Sequence, residues 1–453
     1  MNKLILIFLS LYISSAAAAQ PRQWTLEECI RYAIDHNISI KQLELQTENA
    51  AIELNTSQNS RLPDLNAGLG QNWNFGRTPT RSGLYENTTQ SNTSFSISSS
   101  IPLFTGFRIS NEIERNKWEW KAAVENLESA KEDLALNIAS LFLQVLFNKE
   151  IVKVNEEQLR LSQAQVEKTK ILVESGKVPL SQLYDMESQV AKDEVALVEA
   201  KNKLLLSLLD LAQNLEWEDY TAFDVYTPEI ENVVEEYMNK AQSPQAIFSH
   251  AVEIKPAIKE KEYKVASAER TLKMAQSGYL PSLNLNLGYE NGYYYNYSLK
   301  GVDPITNLPL KNASFSDQIK NNAGEYISFN LSIPIFNRFA VRNQVRSAKM
   351  NIYSQRLALD NTKKTLYKEI QTAWLNATTA QEKYSSSAKA VKAASESFKY
   401  AQERYETGKF SVFEFNEART KWIQSLSEQI QAKYDYIFRT KILDFYNGIP
   451  IKL

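Results

Sequence analysis

The chain has 453 residues, with 51 Lys and Arg against 53 Asp and Glu, two histidines and one cysteine. A near-neutral balance without a basic stripe excludes nucleic acid as a partner. The lone Cys29 excludes an intrachain disulfide or thiolate metal cluster, and His36 and His250 do not occupy equivalent places, so no repeated metal or catalytic site is legible.

Residues 1–19 read as a secretory signal, with Lys3 before an apolar run from Leu4 to Ile13. Ala16 to Ala19 then provide small residues for cleavage before Gln20. The run is roughly ten residues, too short to span a bilayer. No later segment offers about 18 uninterrupted apolar residues, so any span in this exported chain must be a β-barrel. Only 13 glycines and 13 prolines occur, below the usual ~7% and ~5%, which points to long uninterrupted helices.

Thr25 and Glu28 have capping-box spacing and open a helix expected to run to about Asn59, where Leu62-Pro63 stops it. A strand is expected over about 64–75. Leu65, Ala67, Leu69, Trp73 and Phe75 alternate there with Asn66, Gly68, Gly70, Asn72 and Asn74. A second, over about 93–103, sets Phe95, Ile97, Ile101 and Leu103 against serines 94, 96, 98 and 100. Beyond Phe104 a helix is expected from Arg108 to Ser175, roughly 100 Å long. Along it, Ile113, Trp120, Val124, Leu127, Leu134, Ile138, Leu141 and Val145 keep the three–four spacing of a helix–helix seam. Gly176 ends that helix and a shorter one returns from Leu180 to Leu215.

The same order then repeats. Leu62-Pro63 returns as Leu280-Pro281, Ile101-Pro102-Leu103-Phe104 as Ile333-Pro334-Ile335-Phe336, and Ser175-Gly176-Lys177 as Thr407-Gly408-Lys409. Strands are expected over about 282–293, with Leu285, Leu287 and Tyr289 on one side, and about 326–336, with Phe329 and Leu331. A long helix from Asn343 to Thr407 and a return from Ser411 to Asn447 complete the second copy. The repeats are bounded at 20–215 and 246–447, with a collar at 216–245 that carries Pro228 and Pro244, and a tail at 448–453. Each pair of shorter helices matches the long one in summed length, as a rod of even height requires.

Four strands of about ten residues have the length for a tilted membrane crossing, an apolar face for lipid and a Ser/Asn/Gly face for water. Leu69, Trp73, Phe95, Ile97, Leu285, Leu287, Phe329 and Leu331 are the expected lipid-facing set. The smallest bacterial single-chain barrels have eight strands, and open edges are forbidden in lipid, so several copies must share one barrel.

With this layout the chain resembles the TolC-like outer-membrane efflux family over essentially all of its mature length. The resemblance rests on Thr25-Leu26-Glu27-Glu28, the two Leu-Pro strand entries, the two Ile-Pro-(Leu/Ile)-Phe exits and the two glycine turns, in that order and duplicated. It implies a mainly α fold with a membrane β-barrel contribution: a homotrimer with a twelve-stranded barrel in the outer membrane of a Gram-negative-type bacterium and a periplasmic α-helical tunnel. It also implies a periplasmic adaptor and an inner-membrane transporter as partners, passive export, and neither cofactor nor catalysis.

By the same resemblance the Gly176 and Gly408 turns form the periplasmic tip. The gate there falls on Glu414 and Glu417, with Gln182 and Asp185 as first-copy equivalents and Tyr405 as a hydrogen-bond donor. Aspartates are usual at the two glutamate positions. Independently, residues three apart share a helix face. A ring of such carboxylates would attract cations and raise their pKa values by mutual repulsion. Lys177, Lys409 and Phe410 are candidate adaptor contacts; exposed tips are where partners meet loops.

Two other readings compete. A secreted coiled-coil scaffold with a small β cap would need no detergent and conduct nothing. An exported hydrolase would need paired carboxylates in a cleft, and no motif places them. No Walker-type loop is present, so free energy for transport must come from a partner.

Overall fold

The computed structural model describes residues 22–79, 85–219, 223–228, 243–302 and 307–452. The signal segment and much of the expected collar, at 220–222 and 229–242, lie outside the described residues. In chain order the elements are β1 (Arg22–Trp24), α1 (Leu26–His36), α2 (Ile38–Asn59), β2 (Asn66–Pro79) and β3 (Tyr85–Phe104). There follow α3 (Arg108–Glu174), α4 (Leu180–Asn214), β4 (Phe223–Val225), α5 (Pro244–Ile254) and α6 (Pro256–Ser277). The last are β5 (Ser282–Asn296), α7 (Phe315–Asn321), β6 (Gly324–Ser332), α8 (Ala340–Glu406) and α9 (Val412–Tyr446). The chain is mostly helical. Both α3 and α8 have 67 residues, about 100 Å each.

Thr25 caps α1 as expected, its hydroxyl accepting from the Glu28 N–H while Glu28 accepts from the Thr25 N–H. The single helix expected to run on to Asn59 is in fact two. Asn37 leaves the helical region at ψ 127°, and its side-chain oxygen accepts from the N–H groups of Ser39 and Ile40, starting a new helix. The matching break at Lys255 has another cause: Pro256 disfavours helical geometry in the residue before it. The fourth strand is shorter than expected. It ends at Ser332, ahead of Pro334, so Ile333 and Ile335 lie outside it.

One compact unit comprises Met1–Thr47, Ala123–Lys261 and Ala358–Leu453. Its main core gathers Trp24, Cys29, Ile138, Phe142, Val145, Leu146, Leu211, Leu215, Val225, Tyr436 and Ile437. Burial pushes the Cys29 thiol up to about 12, so it is an inert core residue. By length and composition α3 contains a stretch apolar enough to cross a membrane. The full burial of Ile138, Phe142, Val145 and Leu146 in this core accounts for it.

The second unit comprises Glu48–Ala122 and Glu262–Leu357 and holds a four-stranded antiparallel sheet ordered β2-β3-β5-β6. Strands β2 and β6 are its edges. Each strand-to-helix corner carries two consecutive residues in the left-handed region, Gly106-Phe107 and Arg338-Phe339. Edge-to-face ring pairs, Phe104–Phe107 at 5.3 Å and Phe336–Phe339 at 5.4 Å, brace these corners.

Candidate functional sites: an apolar sheet face and a helical tip

Register decides what the sheet presents. Leu69 lies opposite Phe95, Ala67 opposite Ile97, Ile101 opposite Leu285, and Leu285 opposite Phe329. Leu287 pairs with Ile327, and Leu283 with Leu331. Directly opposed residues in an antiparallel ladder share a face, and alternate residues along a strand return to it. All eight residues expected to meet lipid therefore stand on one face. Leu69, Trp73, Ile97, Phe329 and Leu331 are exposed, Leu69 at 74% and Phe329 at 67%, while Phe95, Leu285 and Leu287 are half-buried. An apolar surface of this extent is not what a water-soluble monomer shows.

The opposite face carries Asn66, Gly68, Gly70 and Asn72, serines 94 to 100 at even positions, Asn284, Asn286, Ser328 and Asn330. Its glycines are close-fitted. A Cβ on Gly68 would stand 2.9 Å from the Ser96 Oγ and one on Gly70 2.7 Å from the Ser94 Oγ. Aromatic residues collect beyond the start of β6, where Tyr293 contacts Phe315 at 5.2 Å and Tyr295 contacts Tyr297 at 4.7 Å.

β5 outruns β6 by six residues, because Glu290 faces Gly324, the first residue of β6. Side-chain amides from the following connection continue the ladder. Gln318 accepts from the Tyr294 N–H and donates to its carbonyl, Asn312 does the same at Asn296, and Asn322 donates to the Gly292 carbonyl. This segment, including α7, was not foreseen.

At the helical turns, Gly176 (φ 70°) and Gly408 (φ 73°) adopt the left-handed conformation. The Gly176 N–H donates to Val173 and the Lys177 N–H to Leu172. Gly408 and Lys409 repeat this with Tyr405 and Arg404, so both ends are Schellman motifs. A Cβ on either glycine would meet nothing within 4 Å, so backbone conformation alone demands the residue. Gly408→Ala is expected to destabilise the turn by about 1–2 kcal/mol, read as faster amide exchange confined to its flanks.

Ser411 caps α9 with a second capping box, a Ser-x-x-Glu signal overlooked in the sequence. The Glu414 carboxylate accepts from the Ser411 N–H and hydroxyl at 2.8 Å each. These two bonds hold the Glu414 carboxyl below the usual glutamate range. Its contribution to the helix start is therefore present at neutral pH and is lost as pH falls through the lowered folded value. The rise expected from a carboxylate ring belongs to several copies; within one chain the cap sets the opposite direction. Glu417 is exposed and pairs with Lys421 at 2.7 Å. Asp185 is exposed, and Gln182 is half-buried with its Oε1 buried and unpartnered. Tyr405 is buried at 4% exposure among Met186, Phe398, Val412 and Phe415, its hydroxyl 3.3 Å from the Thr169 Oγ1. Lys177 and Lys409 are exposed, and Phe410 is half-buried with the Arg404 guanidinium 5.2 Å from its ring.

Sequence reasoning missed the buried polar cluster between these helices. Asp193 of α4, at 2% exposure, meets Arg419 of α9, at 4%, and Ser162 of α3. Gln158 and Gln189 donate to the other Asp193 oxygen at 2.7 and 2.9 Å, and Arg419 also donates to the Gln158 carbonyl. The partners lie 226 residues apart, so no local pattern announces them. Among the described residues there is no group of His, Cys, Asp and Glu able to hold a metal ion.

The family described as "Outer membrane efflux protein" matches residues 29–215 and 247–443. The outer membrane protein TolC of Salmonella enteritidis is 20% identical over 456 residues, covering 96% of this chain and 84% of that protein. In fold the chain is similar to CusC, with a TM-score of 0.75 at 16% identity over 97% of this chain and 96% of that one. It is also similar to the Campylobacter jejuni CmeC outer membrane channel, with a TM-score of 0.73 at 18% identity over 93% and 85%. With most of its length matched, in two successive segments, the chain belongs to the outer membrane efflux protein family.

Proposed function

We propose that the protein is the outer-membrane channel of an export system: a homotrimer whose three four-stranded sheets close into a twelve-stranded barrel, continued by a helical tunnel in the periplasm. The observation that carries this reading is the open sheet, apolar and exposed on one face, polar on the other and, among the described residues, unpaired along the outer edges of β2 and β6. Lipid would cover the first face and water the second, and neighbouring copies would satisfy the edges, since unpaired backbone is not tolerated in hydrocarbon. A duplicated helix–strand–strand–helix–helix unit, membership of an efflux family and a fold shared with a named outer membrane channel support it. A secreted scaffold has no use for the apolar face.

Conduction is passive in this reading. An inner-membrane transporter supplies the free energy, and a periplasmic adaptor meets the tip at Lys177, Lys409 and Phe410. Glu414 and Glu417, with Gln182, Asp185 and Tyr405 behind them, guard the periplasmic end. Light scattering of detergent-purified protein is expected to give three copies, and the trimer to conduct in planar bilayers. Glu414→Ala/Glu417→Ala is expected to change conductance or ion preference. A monomer stable in plain buffer would overturn the channel, and an unaltered double variant would remove the gate.

A further inference from the structure

Where all four strands run side by side, the polar face of the sheet carries a single charged side chain, and its setting is particular. Glu290 lies in the last row where all four strands run side by side, the row Gly68, Ser96, Glu290, Gly324. It is the one carboxylate or basic side chain on that face within the four-stranded region, among the described residues; the row on its other side, Asn66, Ser98, Gly288 and Tyr326, adds a neutral phenol. Two of its three row-mates have no side chain and the third has only a hydroxymethyl. In the next row, Gly70, Ser94 and Gly292 are equally bare. The Glu290 side chain is exposed and forms no ion pair among the described residues.

Among the described residues, the connection after β5 makes its contacts elsewhere. Asn291 and Tyr293, whose side chains stand on the opposite face, take the contacts with that connection: the Asn291 amide donates to the Ile319 carbonyl, and Tyr293 packs on Phe315. A lone carboxylate thus lies over Gly324, 3.7 Å from where a Cβ would stand, in a neutral patch on the side that the channel reading assigns to water.

Resting on that reading, we infer that Glu290 forms a three-carboxylate ring inside the barrel, which makes the barrel prefer cations independently of the tunnel tip. Twelve strands about 4.8 Å apart and tilted by about 40° give a backbone radius of about 12 Å. A glutamate reaching roughly 5 Å inward brings its charge to about 7 Å from the axis. That is inside the Debye length of about 10 Å at 0.1 M salt and well outside that of about 3 Å at 1 M. The ring therefore acts on the whole cross-section at low salt and on little of it at high salt. Rings of acidic side chains act in this way in cation channels, and lumen substitutions tune selectivity in outer-membrane barrels.

The test is the reversal potential of single channels in a KCl gradient, with the tip carboxylates removed by Glu414→Ala/Glu417→Ala so that they do not mask the barrel. In that background a potassium preference is expected near 0.1 M that fades near 1 M. Glu290→Gln should lower the potassium-to-chloride permeability ratio at least about twofold at 0.1 M. Glu290→Asp should keep the preference and Glu290→Lys should reverse it, which separates charge from any damage to the fold. Channels whose low-salt preference is the same with Glu, Gln and Lys at this position would overturn the ring alone. Protein that forms no channels with the natural sequence would instead overturn the channel reading, and this inference with it.

Discussion

Replacing Asp193 with alanine is expected to speed amide exchange in the first turns of α9 by about 100-fold or more. The loss strands the Arg419 guanidinium at 4% exposure, with its Nε already lacking a partner and only the Gln158 carbonyl and Ser162 hydroxyl left to it. Breaking one side of a buried ion pair costs about 3–5 kcal/mol, because the remaining charge stays desolvated. The effect should be local, since local opening draws on the contacts of the segment that opens, and Ser162, Asp193 and Arg419 fasten α3, α4 and α9 to one another. Removing both charges, as in Asp193→Leu/Arg419→Met, should recover most of the protection, because apolar packing of similar volume replaces such pairs at little cost. Hydrogen exchange read by mass spectrometry separates the cases. Unchanged protection in Asp193→Ala would show that the cluster does not tie these helices.

The second large effect is expected at the sheet. Phe329→Arg sets a guanidinium on the apolar face near the middle of β6, opposite Leu285. Charged substitution at the bilayer midplane of a barrel costs about 2–4 kcal/mol, and in the proposed trimer the cost is met once in every copy. Folding into lipid vesicles, scored by protease protection, should fall at least tenfold. Asn330→Arg, one residue on and facing the polar side, should insert nearly as the natural protein does. Equal behaviour of the two variants would contradict the assignment of faces, whatever the number of copies.

Much of this architecture is legible in the sequence because it rests on local rules. Period-two alternation alone placed Leu69, Phe95, Leu285 and Phe329 on one side, and register then aligned them across four strands. The left-handed turns at Gly176 and Gly408 and the cap at Thr25 follow from single-residue chemistry. What escaped depends on partners remote in the chain or on polar side chains with several uses. Asn37 within a helical pattern reads as tolerable, yet its amide ends one helix and starts another. Pro256 gave a usable warning of the matching break. The amides of Asn312, Gln318 and Asn322 look like ordinary loop residues, and only the structure shows them standing in for a missing strand. The candidate gate is less legible still. Resemblance alone points to Glu414 as a gate residue, while within one chain its carboxylate is spent on capping Ser411.

The two borders of the sheet have a consequence for biogenesis. β2 offers 14 residues of backbone and β6 only 9, and each has one free edge among the described residues. A newly exported polypeptide therefore carries two adhesive margins, one longer than the other, which stick to any extended peptide they encounter in transit. In the proposed trimer, head-to-tail docking sets β2 of one copy against β6 of the next, and a ring that closes consumes both margins at every seam. If the proposed trimer forms, dilution of subunits should harm maturation more than it harms the finished assembly.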